Sequence, residues 1–195
     1  MSFRRPFADR ERAFEEAFFR KESARLINAM HEREVRAKQL EALSAAVGID
    51  DLNILNPLAD LGVNDDNAAA LVLAPLIAIA WADRTLDSDE RHALLKAESA
   101  HGIDPESESG KLFASWLDRR PHESLIDAWA AYMNAVCDNL DDAERKQLRD
   151  DITSRAERIA HSPEKALLRG GGPTEAELAI LEKITAAFEK EGSAS

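Results

Sequence analysis

The stretch between Pro6 and Gly48 contains no glycine and no proline, and this feature restricts the fold more than any other. Both residue types interrupt helices, so their absence allows one helix of about 40 residues, against a mean length near 12. Glu and Arg crowd most positions, and the apolar residues recur at spacings of three, four and seven. That narrow stripe favours packing along one surface over burial on all sides. Its members are Phe7, Phe14, Phe18, Ile27, Met30, Ala37, Leu40, Leu43 and Val47.

The rest of the chain is also typical of helices. It contributes most of the 34 Ala and 22 Leu of the sequence, whereas Val, Ile and Thr together number only 20. Ala and Leu are strong helix formers and β-branched residues favour sheets. The sequence therefore predicts an all-α fold, with a long N-terminal helix in residues 1–48 and a compact multi-helix domain in residues 49–195.

The charge of the chain is unevenly distributed. The net charge is −12, but residues 1–48 carry +2 and residues 49–195 carry −14. Such an acidic domain argues against nucleic acid as a partner, because phosphate binding needs a basic surface. The nearly neutral first helix can lie on the acidic domain or bind another protein; in the second case we expect a partner protein or homodimer through Phe14, Phe18, Ile27 and Met30.

Two further features indicate a cytoplasmic protein that does not span a membrane. Cys137 is the only cysteine, and the opening residues MSFRRPFADRER lack the apolar core of a secretory signal. The longest uncharged stretch is residues 67–82, which is shorter than the roughly 20 residues needed to cross a bilayer. We interpret it as a buried helix that is kinked or opened at Pro75.

Several helix starts are predicted from capping residues. A residue such as Asp or Thr, followed three positions later by Glu, forms a capping box in which each side chain accepts a hydrogen bond from the other residue's backbone N–H. The predicted starts are Asn64, Asp87 with Glu90, Asp104, Asp141 with Glu144, and Thr174 with Glu177.

Two of these starts belong to a weak internal repeat. Residues 82–91 (ADRTLDSDER) align with residues 137–145 (CDNLDDAER), which predicts two related helical hairpins with acidic loops. Clustered carboxylates suit a hard divalent cation, and the capping role explains the same residues without any ion. The candidate ligands are Asp83, Asp87, Glu90, Asp138, Asp141 and Glu144.

The sequence does not match the EF-hand or the di-iron pattern. Counting an EF-hand loop from Asp83 or Asp138 puts neither Gly at position six nor Glu at position twelve. Glu98 and His101 form a single ExxH, whereas a di-iron bundle needs two. We expect His101 to end a helix in its charged form and Cys137 to be a small core residue with a discouraged thiolate.

Residues 75–90 (PLIAIAWADRTLDSDE) resemble the signature of the tellurite-resistance TerB-like family, in which an Ala-rich helix ends in Ala, Asp, Gly and the next begins with Asp, two residues and Glu. The likeness covers about residues 50–190. It implies an all-helical domain whose repeated acidic loops gather into a metal site for Ca²⁺, Mg²⁺ or Mn²⁺, in stress-response proteins that bind partners near membranes. Arg84 and Asn139 stand where the family has Gly: Arg84 places a cation next to the first carboxylate, and Asn139 is able to adopt the left-handed conformation that Gly would supply.

A shorter likeness lies in the first helix. Residues 9–18 (DRERAFEEAF) are similar to the opening of the zeta-type inhibitor of bacterial ATP synthase.

The leading hypothesis for the function of the whole chain is a non-enzymatic, stress-related TerB-like protein with a divalent-cation site. The alternative is an interaction or oligomerisation module that acts through the first helix, including on a membrane-associated complex. A metal-assisted enzyme ranks last.

Overall fold

The computed structural model describes residues 6–161 and 172–189, with side chains from residue 18 onward. These residues form helices and no β-strand, so the all-α prediction is confirmed. Of the predicted apolar stripe, Phe7 and Phe14 lie outside the described side chains. The helices are α1 (Pro6–Val47), α2 (Leu52–Asp60), a 3-10 helix (Ala68–Leu73), α3 (Ala74–Ala80), α4 (Ser88–Ala100), α5 (Glu108–Asp118), α6 (Leu125–Cys137), α7 (Asp142–Ala160) and α8 (Glu175–Ala186).

The long first helix is confirmed over 42 residues and ends where the sequence predicts. Gly48 has φ +72° and its N–H donates to Ser44 O at 2.8 Å, a left-handed ending that glycine adopts without steric cost. Leu43 is buried in a small apolar cluster with Leu55 and Leu58 of α2. The C-terminal end of α1 is therefore anchored on the helical body.

A larger apolar core surrounds α3. Every residue of α3 except Ala78 is buried, and the helix packs against α6, α7 and α8. Trp129 of α6 is completely buried and lies edge-on to Phe188, with ring centroids 6.2 Å apart. Trp116 also lies in this core, and the half-buried Trp81 packs against it and donates from Nε1 to Trp116 O at 2.9 Å.

The predicted helix start at Asn64 is wrong. Asn64 Oδ1 accepts from the N–H groups of Asp66 and Asn67, which closes a turn, and the helix begins only at Ala68. It begins as a 3-10 helix and becomes α-helical at Ala74, with Pro75 in the first turn of α3. Pro75 therefore starts a helix here, because its missing N–H lies among donors that have no intrahelical partner.

The predicted start at Asp104 is also early. Asp104 Oδ1 accepts from Glu106 N–H in a turn, and the N-cap of α5 is Ser107, whose Oγ accepts from Gly110 N–H at 3.1 Å. A Cβ at Gly110 would lie 2.6 Å from Pro105 Cα. The backbone of the turn at Pro105 therefore packs directly against the first turn of α5.

Among the described helices, none combines the length and the apolar character that crossing a membrane requires.

Arg84 carries the one unusual backbone conformation of a non-glycine residue in the described part of the chain. Its φ is +70°, and it follows the end of α3 at the position where TerB-like proteins have Gly. Asn139, the corresponding residue of the second loop, is able to adopt the left-handed conformation but keeps a negative φ. The left-handed conformation occurs in the first loop instead, at Arg84, whose Cβ makes this conformation energetically costly.

We therefore expect Arg84→Gly to stabilise the protein by about 1 kcal/mol, because glycine relieves the left-handed strain. Asn139→Gly is the matched control and is expected to cost roughly 0.5–1 kcal/mol, since it adds freedom to the unfolded chain and removes only the long, exposed hydrogen bond from Asn139 Nδ2 to Ala135 O. Urea unfolding of both variants measures the difference. Equal effects of the two substitutions would contradict a strained Arg84.

Candidate functional site

The first acidic loop is built around a complete capping box. Asp87 Oδ1 accepts from Glu90 N–H at 2.8 Å, and Glu90 Oε2 accepts from Asp87 N–H at 3.0 Å. Glu90 is only 1% exposed. Both carboxylates thus satisfy backbone donors at the start of α4 and complement the positive end of its dipole.

The second acidic loop repeats this geometry. Asp141 Oδ1 accepts from Glu144 N–H at 2.8 Å, and Glu144 Oε2 accepts from Asp141 N–H at 3.0 Å. A third box joins Thr174 and Glu177 at the start of α8. All three capping boxes predicted from the sequence are confirmed.

The two remaining candidate ligands lie at the ends of the preceding helices. Asp83 follows α3, and its Oδ1 accepts from Thr85 N–H at 3.1 Å and from Thr85 Oγ1 at 3.0 Å. Asp138 is the C-cap of α6 and is exposed. The structure therefore brings Asp87 to Glu90 and Asp141 to Glu144, each pair within its own loop.

Within residues 6–161 and 172–189, no group of three His, Cys, Asp or Glu side chains is arranged to hold a metal ion. Asp87, Glu90, Asp141 and Glu144 each accept backbone hydrogen bonds at a helix start, which is the role that the sequence offered as the alternative to ion binding.

Two arginines that were not predicted as functional residues directly follow the capping glutamates. Arg145 is 9% exposed, and its Nη2 donates to Cys137 O at 2.6 Å, at the end of α6. Arg91 donates to Leu117 O at 3.1 Å and pairs with Asp118 at 2.8 Å, at the end of α5. Each guanidinium thus satisfies carbonyl groups that a helix end leaves without partners. The shared Glu-Arg pair in the repeat was the available signal.

Cys137 is a buried core residue, as predicted. Burial raises the pKa of its thiol, the nearby charge of Asp138 acts in the same direction, and Arg145 opposes both. The thiol form is therefore favoured, and burial contributes more to this than the negative neighbour does.

His101 ends α4 as predicted, but its expected charged state is wrong. Burial, and then the Arg155 guanidinium, lower its pKa, and Asp151 opposes them. Arg155 Nη1 lies 2.7 Å from His101 Nε2, so this nitrogen accepts a hydrogen bond and carries no proton. Desolvation and a cationic neighbour outweigh the helix dipole here.

A second candidate site is the part of α1 that extends beyond its anchored end. We call residues 18–35 the arm. Its side chains are exposed except for Glu22 and Ala29, which are half-buried. Five large apolar residues are 58–70% exposed, and Val35 is 40% exposed. The five are Phe18, Phe19, Leu26, Ile27 and Met30.

Three of the exposed apolar residues of the arm, Phe19, Leu26 and Met30, form a stripe that is distinct from the anchored face, whereas Phe18 and Ile27 lie to either side of it. Phe19 and Leu26 are seven residues apart and Met30 follows four residues later, so they lie along one side of the helix. Arg36 marks the limit of the anchored part, where its Nη2 donates to Asn56 O at 3.1 Å and pairs with Asp60 at 2.5 Å. Exposed apolar side chains at such spacing indicate an interaction surface.

The chain matches no protein-family model, no curated protein and no solved structure. The TerB-like resemblance therefore continues to rest on residues 75–90 and their repeat.

The lowered pKa of His101 predicts a pH dependence of stability. The unfolded histidine takes up a proton near pH 6.5 and the folded one only at lower pH, so this contribution to stability is present above about pH 6.5 and is lost as the pH falls through the folded pKa. We expect His101→Gln to flatten the decline of the melting temperature between about pH 7 and pH 5. Parallel curves for the two proteins would show that His101 does not contribute.

Proposed function

We propose that this chain is a non-enzymatic, cytoplasmic binding protein that assembles through the arm of α1. The observation that carries this proposal is the uncovered stripe of Phe19, Leu26 and Met30 on a helix whose other end is firmly packed. Keeping such residues exposed is unfavourable in water, and a partner helix relieves that cost.

A second copy of the chain is the partner that the arm fits best. Arg20, Lys21 and Arg25 outnumber Glu22 in its first half, whereas Glu32 and Glu34 outnumber Arg33 in its second half. In an antiparallel pair the basic half of one arm faces the acidic half of the other. The arm is thus complementary to itself, whereas two copies of the acidic body repel each other.

The positions of the apolar residues agree with the same arrangement. When two arms cross antiparallel between positions 26 and 30, Leu26 of one copy faces Met30 of the other. Arg20 lies eight residues before the centre of this crossing and Glu34 six residues after it, so Arg20 of one copy and Glu34 of the other are offset by only about 3 Å along the axis. In a parallel pair these two positions stay about 21 Å apart along the axis.

We expect the protein to dimerise with increasing concentration in sedimentation equilibrium, over roughly 5–500 μM. Leu26→Glu places a charge in the seam and is expected to weaken the dimer at least about tenfold. Ala24→Glu adds the same charge on the opposite face of the exposed helix and is the matched control.

Orientation is tested with charge reversal. Arg20→Glu is expected to weaken the dimer, and adding Glu34→Arg in the same chain is expected to restore it. A wild-type protein that stays monomeric at the highest concentration contradicts self-association. A loss of dimer in Ala24→Glu as large as in Leu26→Glu contradicts the proposed face, and a failure of restoration contradicts the antiparallel arrangement.

The divalent-cation site of the TerB-like resemblance is the second candidate function. The observation in its favour is Asp138, which is exposed and accepts no hydrogen bond from the residues that the structure describes, so its carboxylate is open to a ligand. Stress-response and membrane-associated roles rest on the resemblance alone.

The cation hypothesis predicts that Ca²⁺, Mg²⁺ or Mn²⁺ raises the melting temperature of the wild type and not that of the Asp83→Asn, Asp138→Asn double variant. The Asp65→Asn, Asp66→Asn double variant removes the same charge from another exposed loop and should still respond. An unchanged melting temperature with all three ions, or an equal rise in all three proteins, would rule the site out.

A further inference from the structure

A cleft of about 450 Å³ lies between α4 and α7, and none of the arm or capping-box residues lines it. Ala93, Ala97 and Ala100 recur at spacings of four and three and form its wall on α4. Leu76 of α3 and Ile159 of α7, which are almost fully buried, complete the apolar surface. Its volume falls in the range of small-molecule sites, which are concave and mainly apolar.

Three cations line the same cleft, although the chain has a net charge of −12. Arg155 is held in place by Asp151, which accepts from Nε at 3.0 Å and from Nη2 at 2.9 Å, and by His101. Its charge is thus compensated by a carboxylate, and its guanidinium is fixed at the edge of the cleft.

The other two cations have no such compensation. Arg158 donates from Nε to Ser154 O at 3.2 Å, and Lys96 lies between Ala93 and Ala97 on α4. In the part of the chain that the structure describes, no acidic side chain pairs with either one. The cleft therefore combines an apolar surface with a local excess of two positive charges.

We propose that this cleft binds a single-chain amphiphile with an anionic head, of which a saturated fatty acid of about ten carbons is the type. The alkyl chain covers Leu76, Ile159 and the alanine wall, and the carboxylate lies against Arg158 and Lys96. A small inorganic anion gains nothing from the apolar surface, and a cationic amphiphile meets two like charges. The short alanine side chains leave room for the alkyl chain between the two helices.

Isothermal titration of the full chain with decanoate, kept below its micelle concentration, measures this binding. We expect one molecule per chain, and affinity that rises about fourfold for each added methylene from octanoate to decanoate. Decyltrimethylammonium has the same chain with the opposite charge and is expected not to bind at this site.

Two variants test the two halves of the cleft. Arg158→Gln is expected to weaken decanoate binding about fivefold, and Lys146→Gln, which removes a charge from α7 outside the cleft, should leave it unchanged. Ala97→Leu fills the cleft and is expected to abolish binding. Leu26→Glu in the arm should retain it, which separates this site from the exposed apolar residues of α1.

Each outcome decides the proposal. Binding that is lost in Ala97→Leu, weakened in Arg158→Gln and preserved in Lys146→Gln and Leu26→Glu supports it. Absence of binding, equal affinity for decyltrimethylammonium, or binding that depends on Leu26 and not on Ala97 overturns it. Because Arg158 is exposed, its variant keeps the test decisive even where Ala97→Leu disturbs the packing of α4.

Discussion

The burial of α3 is the constraint on which the rest of the structure depends. This helix has only seven residues, too few to be stable alone, and nearly all of them are buried. Its stability comes from α6, α7 and α8, which pack around it, and α8 also packs against α6 and α7. Residues 67–82 lack any charge because a charged group at the centre of three packed helices would lose its water without gaining a partner.

In the acidic loops, helix capping and cation binding compete for the same carboxylates. A carboxylate that accepts hydrogen bonds from backbone N–H groups at a helix start already has partners. Cation binding must therefore be more favourable than these capping hydrogen bonds. Asp87 and Asp141 make the same pair of bonds with the same distances, which explains the repeat in the sequence through helix initiation. Asp138 has no part in either capping box and is therefore the residue on which ion binding would have to be built.

Local signals made much of this fold predictable. The long helix before Gly48 and the three capping boxes depend on residues within four positions of each other, and all of them were predicted correctly.

The predicted helix starts at Asn64 and Asp104 were wrong because an Asx turn uses the same side-chain hydrogen bond as an N-cap, and the sequence does not show whether a helix follows at once. The partners of Arg91 and the lowered pKa of His101 were inaccessible, since they depend on α5 and α7, 26 and 54 residues away. The sequence left open whether the first helix lies on the body or binds a partner, because its exposure depends on where the body ends, which only the fold shows.

Because α1 is unbroken, a force on the arm is transmitted along the helix to its anchored end. Because one helix carries both the exposed stripe and the anchored Leu43, no hinge separates the stripe from the core of the body. A force applied at Phe19 acts over about 36 Å of rigid rod before it reaches Leu43, so a small lateral load becomes a large torque on its packing with Leu55 and Leu58. The Arg36 contacts with Asn56 and Asp60 lie along that rod and resist its rotation. Engagement of the arm is thus mechanically coupled to α2.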